Sequence, residues 1–460
     1  MRRLSIVAAI AVLVSMLGQP AQAVGALPSV PREVSIAARA ANELTLSWLA
    51  PASEGLTPIE SYNVYFKPTL DPLWVLSQNV LAPTTSAVVT GLQSGVTYQF
   101  RVTAVNAAGE SAAASYGEIL DIGLGSNFSC AIRGSGSVWC WGANDIGQFG
   151  SGDTVSSPTP VQIPGLAGST ALTAGPNFAC VIKAGEVWCF GDNSFGQLGN
   201  GSTVSTITPV AVVGIPEAVT SIDAGLKSVC AVTLSGSMYC WGDNTDALLG
   251  NGGNTSTSVA ELIQGGVAEV SVGALHACAL MIGNIVSCWG SESLTPTEIP
   301  SVPNALGVSV GGVFDEHGDM CAITSTREVL CWASITSPMV PVVGPNSVVQ
   351  LSVGLLHACA LTDTGNAWCW GTNNDGELGN PNRLSGTYIA SGVPALSRVV
   401  VGGDAFSGFT CGTTPAGGLY CWGANASGQI GNGTYVSAVL PSQISGFGIQ
   451  NANSAVAPSA

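Results

Sequence analysis

The stretch from Cys130 to Gly142 reads CAIRGSGSVWCWG, and the phrase returns along the chain as CVIKAGEVWCFG from Cys180, CAVTLSGSMYCWG from Cys230, CALMIGNIVSCWG from Cys278, CAITSTREVLCWA from Cys321, CALTDTGNAWCWG from Cys359 and CGTTPAGGLYCWG from Cys411. Successive first cysteines stand 50, 50, 48, 43, 38 and 52 residues apart. A period of roughly 40 to 50 residues built from short β segments is the spacing of propeller blades, each blade being one four-stranded sheet. Seven repeats therefore predict seven blades.

Each phrase reads as a hairpin: short alternating runs on either side of a small turn. Pairing Cys130 with Cys140 sets Ala131 opposite Trp139 and Ile132 opposite Val138, with Gly134-Ser135-Gly136 as the loop. Pairing Cys180 with Cys189 leaves Ala184-Gly185 as a two-residue turn. In both registers the cysteines face each other across antiparallel strands, at a separation that a disulfide spans. The expected bridges are Cys130 with Cys140, Cys180 with Cys189, Cys230 with Cys240, Cys278 with Cys288, Cys321 with Cys331, Cys359 with Cys369 and Cys411 with Cys421. Metal binding or redox work would call for Cys-x-x-Cys or interleaved histidine ligands, and neither spacing occurs.

Upstream of the hairpin lies a strand ending in glycine, as in Ser221 to Gly225 or Val270 to Gly273. Downstream come a Gly/Asn turn and a further strand, such as Pro160 to Ile163 or Pro209 to Val212. No segment carries an extended period of 3.6, so almost no helix is expected.

The turn after the second cysteine carries a family resemblance. GDNSFGQLGNG at residues 191–201, with GANDIGQFGSG, GDNTDALLGNG, GTNNDGELGN and GANASGQIGNG elsewhere, resembles the regulator of chromosome condensation repeat, a family of seven-bladed propellers. The resemblance spans residues 117–447, and blades four and five depart from it, because the turn is missing after Cys288 and Cys331. The family's guanine-nucleotide exchange beside chromatin is an intracellular role. A nearer analogue among such propellers is the secreted inhibitors that cover a β-lactamase active site with one loop face.

Residues 27–115 form a separate module. Leu46-Ser47-Trp48, the run PASEGLTPIESYNVY from Pro51, and Tyr98 to Asn106 followed by Ala107-Ala108-Gly109 resemble a fibronectin type III domain. In such a β-sandwich, Trp48 and Tyr98 are core and corner residues. The fold class expected is all-β: a fibronectin type III β-sandwich followed by a seven-bladed β-propeller.

Residues 1–23 read as a secretory signal peptide, with Arg2 and Arg3, an apolar run from Leu4 to Leu17, and Ala21-Gln22-Ala23 before the cut. That run is too short to span a bilayer, and no second long apolar run follows. The mature chain is expected outside the cell. Residues 448–460 read as a disordered tail. Loss of Arg2 and Arg3 takes the net charge from -16 to -18. With no Lys/Arg cluster in the mature chain, no nucleic-acid partner is expected.

No catalytic site or cofactor is expected. His276 and His357 stand two residues before the first cysteine of their blades, where others place Phe128, Phe178, Ser228, Asp319 and Phe409. That substitution pattern reads as packing. His317, within Phe314-Asp315-Glu316-His317-Gly318-Asp319, could hold a cation or act as acid and base, but a solvated loop is the plainer reading. Asn373-Asn374-Asp375-Gly376 begins like a calcium loop and lacks the remaining ligands. Trp141, Phe190, Trp241, Trp289, Trp332, Trp370 and Trp422 follow every second cysteine. They read as packing between blades, with sugar or peptide stacking as the alternative.

Blades five and seven carry longer connections between their first and second strands, Gly312 to Asp319 and Gly403 to Phe409. Both should emerge on one face, where Phe314, Asp315, Asp404 and Phe406 are expected to contact an extracellular protein. A carbohydrate or cell-wall binding role is the second reading and a hydrolase the third. Asn127, Asn200, Asn254, Asn425 and Asn432 begin glycosylation sequons, which matter only in a eukaryotic secretory route.

Overall fold

The structure, a computed structural model, describes residues 26–444 apart from 41, 52, 69–72, 94–97, 112, 116–118, 135, 313–318, 382–386 and 416. The expected leader (1–23) and tail (448–460) lie outside the described residues. All regular structure among these residues is strand.

The first module is a sandwich. One sheet holds Arg32–Ala40, Glu43–Leu49 and Ser86–Thr90. The other holds Val75–Leu81, Ile59–Pro68 and Tyr98–Asn106, with Gly109–Glu110 and Ala114–Ser115 on its edge. Burial alternates along Glu43–Leu49, the mark of a strand with one face on a core. Trp48 is buried there against Tyr62, ring centroids 5.4 Å apart. The buried Tyr98 accepts the Gln93 N–H on its hydroxyl at 3.0 Å, fixing the corner.

The propeller has seven four-stranded sheets, each made of four consecutive strands. Blade one is Ile119–Leu124, Phe128–Arg133, Val138–Gly142 and Ser157–Gln162, and blade seven is Arg398–Gly403, Gly408–Thr413, Leu419–Gly423 and Ala438–Gln443. No blade borrows a strand, so the ring closes by packing blade seven on blade one, where Gly403 N–H donates to Gly125 O at 3.0 Å.

The hairpin registers are those read from the spacing. Cys130 faces Cys140 with Ala131 opposite Trp139, and Cys180 faces Cys189. In the other five blades Cys230 faces Cys240, Cys278 faces Cys288, Cys321 faces Cys331, Cys359 faces Cys369 and Cys411 faces Cys421. All seven bridges form at a Cα separation of 4.1 Å, and all fourteen cysteines are fully buried.

The turn after the hairpin is organised by one buried asparagine. Asn193 donates through Nδ2 to Ser202 O at 2.9 Å and Val204 O at 3.1 Å, while its Oδ1 accepts Leu198 N–H at 2.9 Å. Asn144, Asn244 and Asn425 repeat the arrangement. Asn425 is fully buried with its amide so engaged, so the folded chain does not present that sequon nitrogen to solvent. The glycine ending Gln-Leu-Gly holds a left-handed φ, +64° at Gly199, and a Cβ there would lie 2.7 Å from the Trp241 ring of the next blade. Glycine is required both for the backbone and for the approach.

The rings after the second cysteine are at most 1% exposed, as packing between blades requires. Trp141, Trp241 and Trp289 donate indole N–H to Gln429 O, Gln197 O and Leu248 O of the preceding blade's turn, at 2.9, 2.9 and 2.8 Å. The buried indole N–H groups of Trp332, which faces blade four without the turn, and of Trp422, which faces blade six with it, find no acceptor among the described residues.

Polar side chains on the innermost strands tie each blade to the next. Thr173, Asp223, Ser271, Ser309 and Ser352 accept backbone N–H groups of Ala224, Val272, Val310, Val353 and Val401 at 2.8–3.0 Å. Blades one and seven have Gly123 and Val400 at this position, whose side chains can accept nothing. There Asp121 serves both seams: it accepts Leu172 N–H of blade two at 2.8 Å and pairs with Arg398 of blade seven at 2.7 Å.

Candidate functional site

Phe128 at the start of the second strand pairs with Gly142 at the end of the third. The connections between strands one and two therefore lie at the same end of the ring as the turns between strands three and four. The chain enters at the opposite end, where Ile119 begins blade one.

In blade one the connection between strands one and two runs only from Leu124 to Phe128. In blade seven Gly402 pairs with Phe409 across a longer loop, and in blade five Gly311 N–H reaches Asp319 O at 2.9 Å across a longer one still. Phe314, Asp315 and His317 lie outside the described residues. The Asp404 carboxylate Oδ1 accepts the N–H groups of Phe406 and Ser407 at 2.8 and 2.9 Å and the Ser407 hydroxyl at 3.2 Å. That turn holds Phe406 88% exposed.

The two described histidines are interior. His276 is buried with Nδ1 3.0 Å from Asp319 Oδ2 of the next blade, so this position carries a polar link between blades as well as packing. His357 is fully buried with Nε2 2.7 Å from Thr410 Oγ1, and burial pushes its pKa down to about 3. It stays a neutral imidazole. The link from His276 to Asp319 escaped sequence reasoning; the one available signal was that complementary types, His276 and Asp319, occupy equivalent positions in consecutive blades.

A channel of about 650 Å³ runs along the ring axis, lined by the innermost strands. Its charged wall is Asp121, Asp223, Glu269 and Arg398. Burial pushes Asp121 up, against the opposing pull of the Arg398 guanidinium and two backbone N–H groups. Burial also raises Asp223 to about 6, in spite of its hydrogen bonds. Glu269 opens to the lumen yet is ringed by protein, and that desolvation, with the Asp223 charge second, raises it to about 7. No group of three or more metal-ligating side chains gathers among the described residues, and no described helix is long and apolar enough to cross a membrane.

This architecture, a sandwich joined to a ring of stapled four-stranded blades, defines a class of repeat-propeller protein. Residues 29–117 match the fibronectin type III domain family. Residues 119–148, 219–247 and 348–377 match one family of regulator of chromosome condensation repeats, and 135–182, 184–232 and 416–456 match another. The chain is a fibronectin type III domain followed by a propeller of regulator of chromosome condensation repeats.

Among relatives, the ultraviolet-B receptor UVR8 of Arabidopsis thaliana is 24% identical over 377 residues, covering 73% of this chain and 84% of that protein. The E3 ubiquitin-protein ligase HERC2 of Homo sapiens is 25% identical over 300 residues, 64% of this chain and only 4% of the ligase. Prp20p of Saccharomyces cerevisiae, whose crystal structure was described with its binding to Gsp1p and histones, superposes with a TM-score of 0.58 at 16% identity, covering 70% of this chain and 87% of that one. Such propellers serve as protein-binding scaffolds. Seven disulfides and a fibronectin type III domain are compatible with an extracellular protein.

Proposed function

We propose that this chain is a secreted, non-catalytic protein-binding scaffold, acting as an inhibitor or adhesion-type protein through the propeller end that carries the inserts of blades five and seven. The observation that carries the reading is Phe406, a large aromatic residue 88% exposed on a turn fixed by Asp404. A rigid exposed aromatic is the kind of residue that anchors a protein interface, because burying it yields much apolar area for little lost freedom. Secretion draws support from the leader-like residues 1–23 and from cysteines that are all paired. The stacking alternative loses its residues: the aromatic rings after the second cysteines are buried between blades and present no face to a sugar.

The test is affinity capture of extracellular proteins with the full chain, followed by titration of each captured protein against a chain with alanine across 314–317 and 404–407, which spares Asp319 and the flanking glycines, and against Phe406→Ala. Binding weakened at least about tenfold with an unchanged unfolding midpoint is the expected result. Equal affinity in both variants would refute the reading.

A further inference from the structure

The face that bears Phe406 carries a second feature, repeated by the blade architecture. In blades one, two and seven the residue eleven after the turn asparagine is an exposed valine: Val155 at 69%, Val204 at 72% and Val436 at 72%, with Tyr435 beside the last at 57%. Blades seven, one and two are consecutive around the closed ring, so these side chains form one arc rather than scattered singles. Their backbones are fixed, because each valine carbonyl accepts the Nδ2 amide of its turn asparagine, at 3.3, 3.1 and 3.1 Å. Blade three has Thr255 at the same place, held by Asn244 at 3.2 Å, so the turn itself does not require an apolar side chain.

The charge around the arc has one sign. The strand one-to-two connections and turns of blades seven, one, two and three present Asp404, Asp145, Asp153, Asp192 and Asp246 against Lys227 alone, Asp243 being buried within its own turn. Asp192 stays ionised: burial pushes it up, but hydrogen bonds from Ser194, Ser205 and Gln197 outweigh that and hold it below its usual range. The glycine-lined mouth at the centre of this face adds no countercharge. A second copy of this chain would bring aspartates against aspartates, which costs association energy.

We propose that the arc of Val155, Val204 and Val436 with its aspartate rim is a docking surface for a basic protein segment bearing aliphatic side chains. This rests on the protein-binding reading above and names the chemistry of the partner. Aliphatic side chains cover the valines, while lysines or arginines answer the aspartates, speeding encounter and fixing orientation.

The test uses the full chain and three synthetic peptides of equal length, alternating Lys with Val, Lys with Ser, and Glu with Val. Binding is read by fluorescence anisotropy. The Lys/Val peptide should bind best, and a triple variant combining Val155→Ser, Val204→Ser and Val436→Ser should weaken it about tenfold or more. Asp145→Lys combined with Asp246→Lys should weaken it further and flatten its salt dependence. Equal binding of Lys/Val and Lys/Ser, no effect of the valine triple, or equal binding of Glu/Val overturns the proposal. So does a self-association that the valine triple abolishes, or competition by an insoluble polysaccharide. If no peptide binds while Phe406→Ala still releases a captured protein, this inference fails and the protein-binding function stands.

Discussion

Replacing Arg398 by methionine should destabilise the propeller at its closing seam, and the loss should depend on Asp121. Asp121 is 6% exposed and accepts Leu172 N–H, Ile122 N–H and an Arg398 guanidinium N–H at 2.8, 2.8 and 2.7 Å. Removing one partner from a buried ion pair typically costs about 3 to 5 kcal/mol. Here the arginine side chain is 40% exposed, so water already screens part of the attraction. About 2 kcal/mol is the expected loss after that discount. Given the unfolding entropy of a ring this size, the thermal midpoint should fall by about 3 °C. Since Arg398 is the largest of the groups that oppose the burial-raised pKa of Asp121, ahead of two backbone N–H groups, its removal raises that pKa further. A raised folded pKa contributes stability at low pH that is lost as pH rises through it, so the deficit of Arg398→Met should shrink on acidification. Calorimetry of wild type, Arg398→Met, Asp121→Asn and the double variant closes the cycle. A midpoint unchanged in Arg398→Met, or a loss equally large in the Asp121→Asn background, would refute the claim that this pair closes the ring.

Two further outcomes follow from the interior. His357, held down to about 3 from an ordinary 6.5, contributes stability present above about pH 6.5 and lost as pH falls toward 3, at up to about 1.4 kcal/mol per pH unit. Asp223, raised to about 6, works in the opposite sense, so His357→Gln should flatten the acid decline of the unfolding midpoint and Asp223→Asn should steepen it. An acid slope unchanged in His357→Gln would show that the imidazole takes up its proton in the folded state. Asn193→Ala strips partners from Ser202 O, Val204 O and Leu198 N and should cost about 2 to 4 kcal/mol. Hydrogen exchange should speed selectively over residues 194–205, and uniform protection there would contradict the asparagine's role.

How much was legible follows from how far each signal reaches along the chain. The cysteine register is local: residues ten apart on one hairpin, such as Cys230 and Cys240 or Cys411 and Cys421, must face each other once the turn is known. The seven buried rings were legible for the same reason, since they repeat at one position. The inner ring of hydrogen bonds was not. Thr173, Asp223, Ser271, Ser309 and Ser352 are of different types, and their acceptor role depends on a backbone N–H about 40 to 50 residues away. Asp121 was harder still, because it compensates for Gly123 on its own strand and Val400 nearly the whole ring away. Of the site, the two inserts were visible as departures from the repeat. The valine arc was hidden inside the repeat, in loop positions where alternation says nothing about exposure.

Regularity and departure from it divide the labour in this chain. Positions that recur in most blades, the paired cysteines, the turn asparagine and the ring after the second cysteine, are buried and satisfy one another. Their chemistry is spent on holding the ring. A partner can therefore read only what varies between blades or what the repeat leaves in water. Phe406 belongs to the first kind, an insertion in one blade, and Val155, Val204 and Val436 to the second, a side chain carried outward by an anchored turn. Blades four and five lack that turn, and the exposed valines stand on blades seven, one and two, so the apolar arc is confined to one side of the ring. That asymmetry gives an otherwise seven-fold scaffold a single orientation in which a partner can lie across it.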